Sequence, residues 1–125
     1  MNISILSVGP PYRGGISEQT SYLYEKLSRN NQVQLINFKR QYPSILFPGK
    51  NQYNDESIFE IKNNYRIIDS INFLSWPKAV KSIVKQNPNL ILLRFWNPFF
   101  ALSHGWIINK IKKTNPKIKV VAICD

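Results

Sequence analysis

Four short apolar runs punctuate the chain: ISILSV at residues 3–8, VQLINF at 33–38, LILLRF at 90–95 and KVVAIC at 119–124. Stretches with helical spacing separate them. This alternation constrains the fold more than any other feature, because near-continuous apolar strands need cover on both faces, as in a parallel sheet walled by helices. After the first run, GPPYRGG stops the strand, and from Ile16 the apolar positions Ile16, Thr20, Leu23, Tyr24 and Leu27 make one helical stripe. Ser17, Glu18, Glu25 and Lys26 fall elsewhere on that wheel, and Asn30 and Asn31 end it. The first 38 residues therefore predict strand, glycine loop, helix, strand. Residues 66–69 predict a short third strand. Trp76 and Pro77 open a helix with Trp76, Ala79, Val80, Ile83 and Val84 on its apolar face and Lys78, Lys81 and Lys85 opposite. Asn87 and Pro88 close it, and residues 98–113 predict a third helix with a basic end.

The expected fold class is α/β, a doubly wound, mostly parallel, Rossmann-like sheet. Right-handed crossovers put the second strand on one side of the first and return the later strands to the other. The switch point then lies between the first strand and the 90–95 strand, and ligands bind outside the carboxyl ends there. The glycine loop, Arg94, Trp96 and Asp125 are expected to look into that crevice. With 125 residues the chain has the length of one domain. Its last apolar run ends at Asp125 without a following helix, so the expectation is a single, incomplete domain over 1–125, truncated after the last strand. Residues 39–65 are polar, carry Pro43, Pro48 and Gly49, and predict a functional loop or short irregular elements.

Seventeen Lys and Arg against seven Asp and Glu give a net charge of +10, which attracts anions: phosphorylated substrates, anionic lipid or nucleic acid. The aromatic residues follow no RNA-recognition pattern, so nucleic acid is not expected. One cysteine, Cys124, forms no internal disulfide and reads as a small buried hydrophobe in an apolar run, which points to a reducing compartment. The amino terminus lacks a basic n-region and a long apolar stretch, so a cytoplasmic location is expected.

Three of five glycines, Gly9, Gly14 and Gly15, fall within seven residues. Glycines before a helix let an anion reach its free amides and the positive end of its dipole, and Arg13 adds a charged donor. A tight turn alone also explains Gly14 and Gly15. There is no G-x-G-x-x-G, no acidic residue after the second strand, and no Lys-Ser/Thr after the glycines, which disfavours dinucleotide oxidoreductases and P-loop NTPases. With one histidine, His104, placed mid-helix and expected to pack there, no metal is expected.

The stretch PPYRGGISEQTSYLYEKLSRNNQVQLINFKRQYPSILFPGKNQY, followed by RFWNPFFA and a strand ending AICD, resembles the N-terminal domain of GT-B retaining glycosyltransferases of family 4 (group 1). That resemblance implies the acceptor-binding half of a nucleotide-sugar-dependent enzyme, with the donor as co-substrate and no further cofactor. It assigns Gly14 and Gly15 to the donor diphosphate, where Arg13 is the adjacent charged candidate, and a glycan or lipid-linked acceptor to this half. Where family members commonly carry a catalytic histidine, this chain has Asp125. The Glu-x7-Glu donor motif of the family's second domain is absent, so the resemblance implies a half that is inactive without that domain or a partner chain. The alternative is a non-catalytic basic α/β module, one chain of a two-chain transferase or an adaptor on an anionic membrane surface. Acceptor candidates are Tyr12, Lys39, Arg40, Arg94 and Trp96, with Tyr42 and Lys50 beside them. Each has a plainer reading: a solvated basic loop for Lys39 and Arg40, an ion pair with Asp69 or Asp125 for Arg94, and packing for Trp96. The Lys78, Lys81 and Lys85 face is either solvated or docks peripherally on the inner membrane surface.

Overall fold

A computed structural model describes residues 1–12, 14–40 and 61–125. Five strands, β1 (Asn2–Leu6), β2 (Gln32–Arg40), β3 (Asn64–Asp69), β4 (Leu90–Phe95) and β5 (Lys119–Cys124), form one sheet in the order β3-β2-β1-β4-β5. All four pairings are parallel. The helices are α1 (Gly15–Ser28), α2 (Trp76–Gln86) and α3 (Ala101–Thr114). A 3₁₀ turn at Phe73–Ser75 leads into α2, and another at Pro98–Phe100 leads into α3. This is the doubly wound α/β sheet that the alternation of runs predicts, with β1 and β4 adjacent at the switch point.

Alternation of side chains along the strands divides the core into two layers. On the α1 side, Ile3, Ile5, Val33, Leu35 and Leu92 are buried, and Leu23, Tyr24 and Leu27 of α1 pack onto them. On the other side, Leu6, Ile36, Phe38, Ile68 and Ile91 meet Trp76, Ala79 and Ile83 of α2 and Ile107 and Ile111 of α3. Complete burial of one such side chain contributes about 1.5–3 kcal/mol, so this second layer carries much of the stability. Asn87 stops α2 in the left-handed conformation, φ 53°, which asparagine tolerates better than most residues.

Three expectations need correction. Ser17, expected off the apolar stripe, is buried at 3% exposed, and with Thr20 and Ser21 it makes a row of small buried residues on α1. Cys124 is exposed rather than buried, because β5 is an edge strand whose apolar composition does not bring cover with it. Val121 of the same strand is 48% exposed. Finally, Gly9 serves packing instead of ligand approach: a Cβ there would sit 2.6 Å from Cδ2 of the fully buried Leu35.

Candidate functional site at the carboxyl end of the sheet

The loop between β1 and α1 is held from below by asparagines. Asn37 Oδ1 accepts from the Gly9 amide at 3.1 Å, and its Nδ2 donates to the Pro10 carbonyl at 2.9 Å. Asn64 donates to the same carbonyl at 2.8 Å and also accepts from Asn37 Nδ2 at 3.1 Å. The Tyr12 amide closes a turn onto the Gly9 carbonyl, and the loop contains a cis peptide between Pro10 and Pro11. Asn37 interrupts an apolar strand at its carboxyl end, and that polar intrusion was the available signal for this anchor.

Gly14 precedes α1 with φ 118° and ψ 165°, a conformation open to glycine and strained for other residues. The first helical bond runs from the Glu18 amide to the Gly14 carbonyl. The amides of Gly15, Ile16 and Ser17 thus precede the intrahelical ladder, and among the described residues no side-chain cap is made there. Gly14 and Gly15 are exposed, and the space that a Cβ would occupy at either position has no atom within 4 Å. Arg13, Tyr42 and Lys50 lie outside the described residues.

Beside this helix start, Arg94 points from β4 toward α1. Its side chain is 5% exposed and grips Asp125 with two bonds, Nε to Oδ2 at 3.2 Å and Nη2 to Oδ1 at 2.5 Å. Nη2 also donates to Gln19 Oε1 of α1 at 2.7 Å. The ion-pair reading of Arg94 is therefore the structural fact, with Asp125 as the partner, while Asp69 pairs with Arg40 at 3.2 Å. Ser7 and Thr20 bring their hydroxyls within 2.9 Å of each other on the same side. Gln19 and Ser7 escaped the sequence reading because an isolated polar side chain matches a surface position on a helix or strand as well as a buried one, and Thr20 reads only as part of the stripe that α1 turns inward.

The opposite side of the same sheet end is aromatic. Trp96 packs at a tilt against Phe100 with ring centroids 4.8 Å apart and meets Phe38 edge-on at 6.2 Å. His104 lies between these rings, 1% exposed, and burial lowers its pKa to about 4. It packs, as the sequence predicts. Tyr12 is also buried, 3% exposed, with the Arg66 guanidinium over its ring at 5.3 Å. Tyr12 thus belongs to the core layer, and Trp96 is partly buried against it. Lys39 and Arg40 are exposed at the end of β2, toward the sheet edge formed by β3 and away from the β1/β4 switch point. The structure joins Arg94 to Asp125 and to Gln19, four residues after Gly15 on α1, and places Lys39 and Arg40 in a separate cluster. Among the described residues no group of three His, Cys, Asp or Glu side chains is arranged to hold a metal ion.

No protein-family model matches the chain, and no curated protein matches it. Among solved structures, a Clostridium thermocellum family 3 carbohydrate esterase is similar at 16% identity and a TM-score of 0.40. The alignment covers 98% of this chain and 61% of that one, so the chain spans less than two-thirds of the esterase's length.

Proposed function

We propose that this chain is the acceptor-side half of a retaining, nucleotide-sugar-dependent glycosyltransferase of the GT-B type, with the start of α1 steadying the donor diphosphate. One observation carries the reading: a helix start with no side-chain cap among the described residues, led by Gly14 in a glycine-only conformation, follows β1 beside the switch point. Free amides aimed along a helix axis stabilise phosphate oxygens, and they stabilise a departing diphosphate in the same way as its charge grows. The pair of Arg94 with Asp125 sits alongside and gives the site a fixed, charge-compensated wall. With its carboxylate committed to Arg94, Asp125 serves positioning in this reading rather than attack or proton transfer.

The decisive experiment is a titration of pyrophosphate, UDP and GDP followed through backbone amide resonances. Gly14, Gly15 and Ile16 are expected to shift with each ligand. Gly15→Pro removes one amide donor at a helix position that tolerates proline, and it is expected to weaken binding about fivefold. Shifts confined to other residues, or a Gly15→Pro variant with full affinity, overturn the assignment. Hexose transfer from UDP- or GDP-sugars is expected only when a second nucleotide-sugar domain is supplied. Full turnover by this chain alone would contradict the half-enzyme reading.

A further inference from the structure

Away from the glycine loop, at the β3 edge of the sheet, the segment joining β3 to α2 exposes three large apolar side chains in close succession. Ile71 is 48% exposed, Phe73 66% and Leu74 69%. This tip is fastened from within. Asp69 Oδ1 accepts from the amides of Ile71 at 3.2 Å and Asn72 at 3.3 Å, and the Ser75 hydroxyl accepts from the Asp69 amide at 2.9 Å. Trp76 Nε1 donates to the Asp69 carbonyl at 2.9 Å, and Asn72 caps the 3₁₀ turn. The apolar side chains therefore project from a braced turn.

Next to the tip is a cavity of about 430 Å³ lined by Lys39, Arg66, Asp69, Asn72, Leu74 and Lys78 among others. Its acidic residue, Asp69, is 5% exposed and already bound by Arg40, so the accessible charge on that wall is cationic. Lys81 and Lys85 follow Lys78 at helical spacing on the exposed face of α2 and extend the positive stripe.

We infer that this surface docks on an anionic lipid bilayer, with Phe73 and Leu74 entering the headgroup boundary and lipid phosphates meeting Lys39 and Lys78. Charge complementarity selects the occupant. An apolar tip rimmed by cations suits an interface that is apolar within and negative at its surface, and the two contributions reinforce each other. The inference stands apart from sugar transfer and does not depend on the diphosphate assignment.

The test is sedimentation with phosphatidylcholine vesicles containing about one-third phosphatidylglycerol, compared with pure phosphatidylcholine. The wild-type chain is expected to bind the anionic vesicles at least tenfold more tightly, with binding weakened by salt. Phe73→Asp with Leu74→Asp, both on exposed positions, is expected to lose at least tenfold. Lys39→Glu with Lys78→Glu is expected to lose a similar factor. Lys117→Glu with Lys119→Glu, the same charge change at the amino end of the sheet, is expected to lose far less. Circular dichroism of each variant checks that the fold persists. Equal losses from the two lysine pairs would reduce the effect to net charge and overturn the docking surface. Unchanged binding by the Phe73/Leu74 variant would also overturn it and would leave the apolar tip to a protein partner.

Discussion

Three glycines close together in sequence carry three different physical burdens. Gly14 has open space around its missing side chain, so Gly14→Ala meets only the strain of φ 118°, and a loss of about 1–3 kcal/mol is expected. Gly15 also has open space but begins α1 at an ordinary φ, so Gly15→Ala is expected to be neutral or to stabilise by up to about 1 kcal/mol. Gly9→Ala would drive its Cβ against Leu35 in a filled layer, and overpacking of that kind costs about 1–3 kcal/mol. Urea unfolding of the three variants checks the order, with Gly15→Ala the most stable. Sequence alone marks all three as places where a side chain is unwelcome. Only the backbone angle at Gly14 and the neighbour at Gly9 reveal why.

At the scale of elements, the strands and helices were legible because the apolar runs and helical stripes are long enough to express their periods. The runs at 90–95 and 119–124 coincide with β4 and β5. Cover was not legible: β5 reads like a central strand, yet it lies at the sheet edge, and Cys124 is exposed there. The candidate site was legible in part. Arg94, Asp125 and Gln19 converge where the carboxyl ends of β4 and β5 meet α1, whereas Tyr12 is buried in the core layer through contacts no local pattern encodes. The buried end of that convergence is testable. Asp125→Asn leaves the Arg94 charge inside with Gln19 as its remaining described acceptor, and a loss of about 1–3 kcal/mol is expected. Arg94→Met removes the buried charge and leaves Asp125, 27% exposed at its side chain, to water. It is therefore expected to cost less than Asp125→Asn, which paired denaturation curves would show.

Stability of the whole molecule is tied to pH through the aromatic layer that joins β2, the β4–α3 connection and α3. His104 sits there among Phe38, Trp96 and Phe100, and neither ring nitrogen has a hydrogen-bond partner among the described residues. Burial disfavours the imidazolium and lowers the pKa from 6.5 to about 4. The unfolded chain thus takes up a proton as pH falls below about 6.5, while the folded chain refuses it until near pH 4. More protons on the unfolded state means that stability rises with pH across this window and is lost as the medium is acidified through it. The full loss for such a shift is about 3 kcal/mol, reached near pH 4, with no contribution from this group above neutrality. Leucine cannot be protonated, so His104→Leu is expected to flatten that part of the stability profile. Urea unfolding of the two proteins at several pH values between 7.5 and 4 reads the difference, in which the acid titration of the carboxylates cancels. A constant gap between the two curves across that range would mean that His104 is not held neutral by the fold. A gap that shifts in favour of leucine as pH drops from about 6.5 toward 4 would assign that part of the molecule's acid sensitivity to this one buried ring.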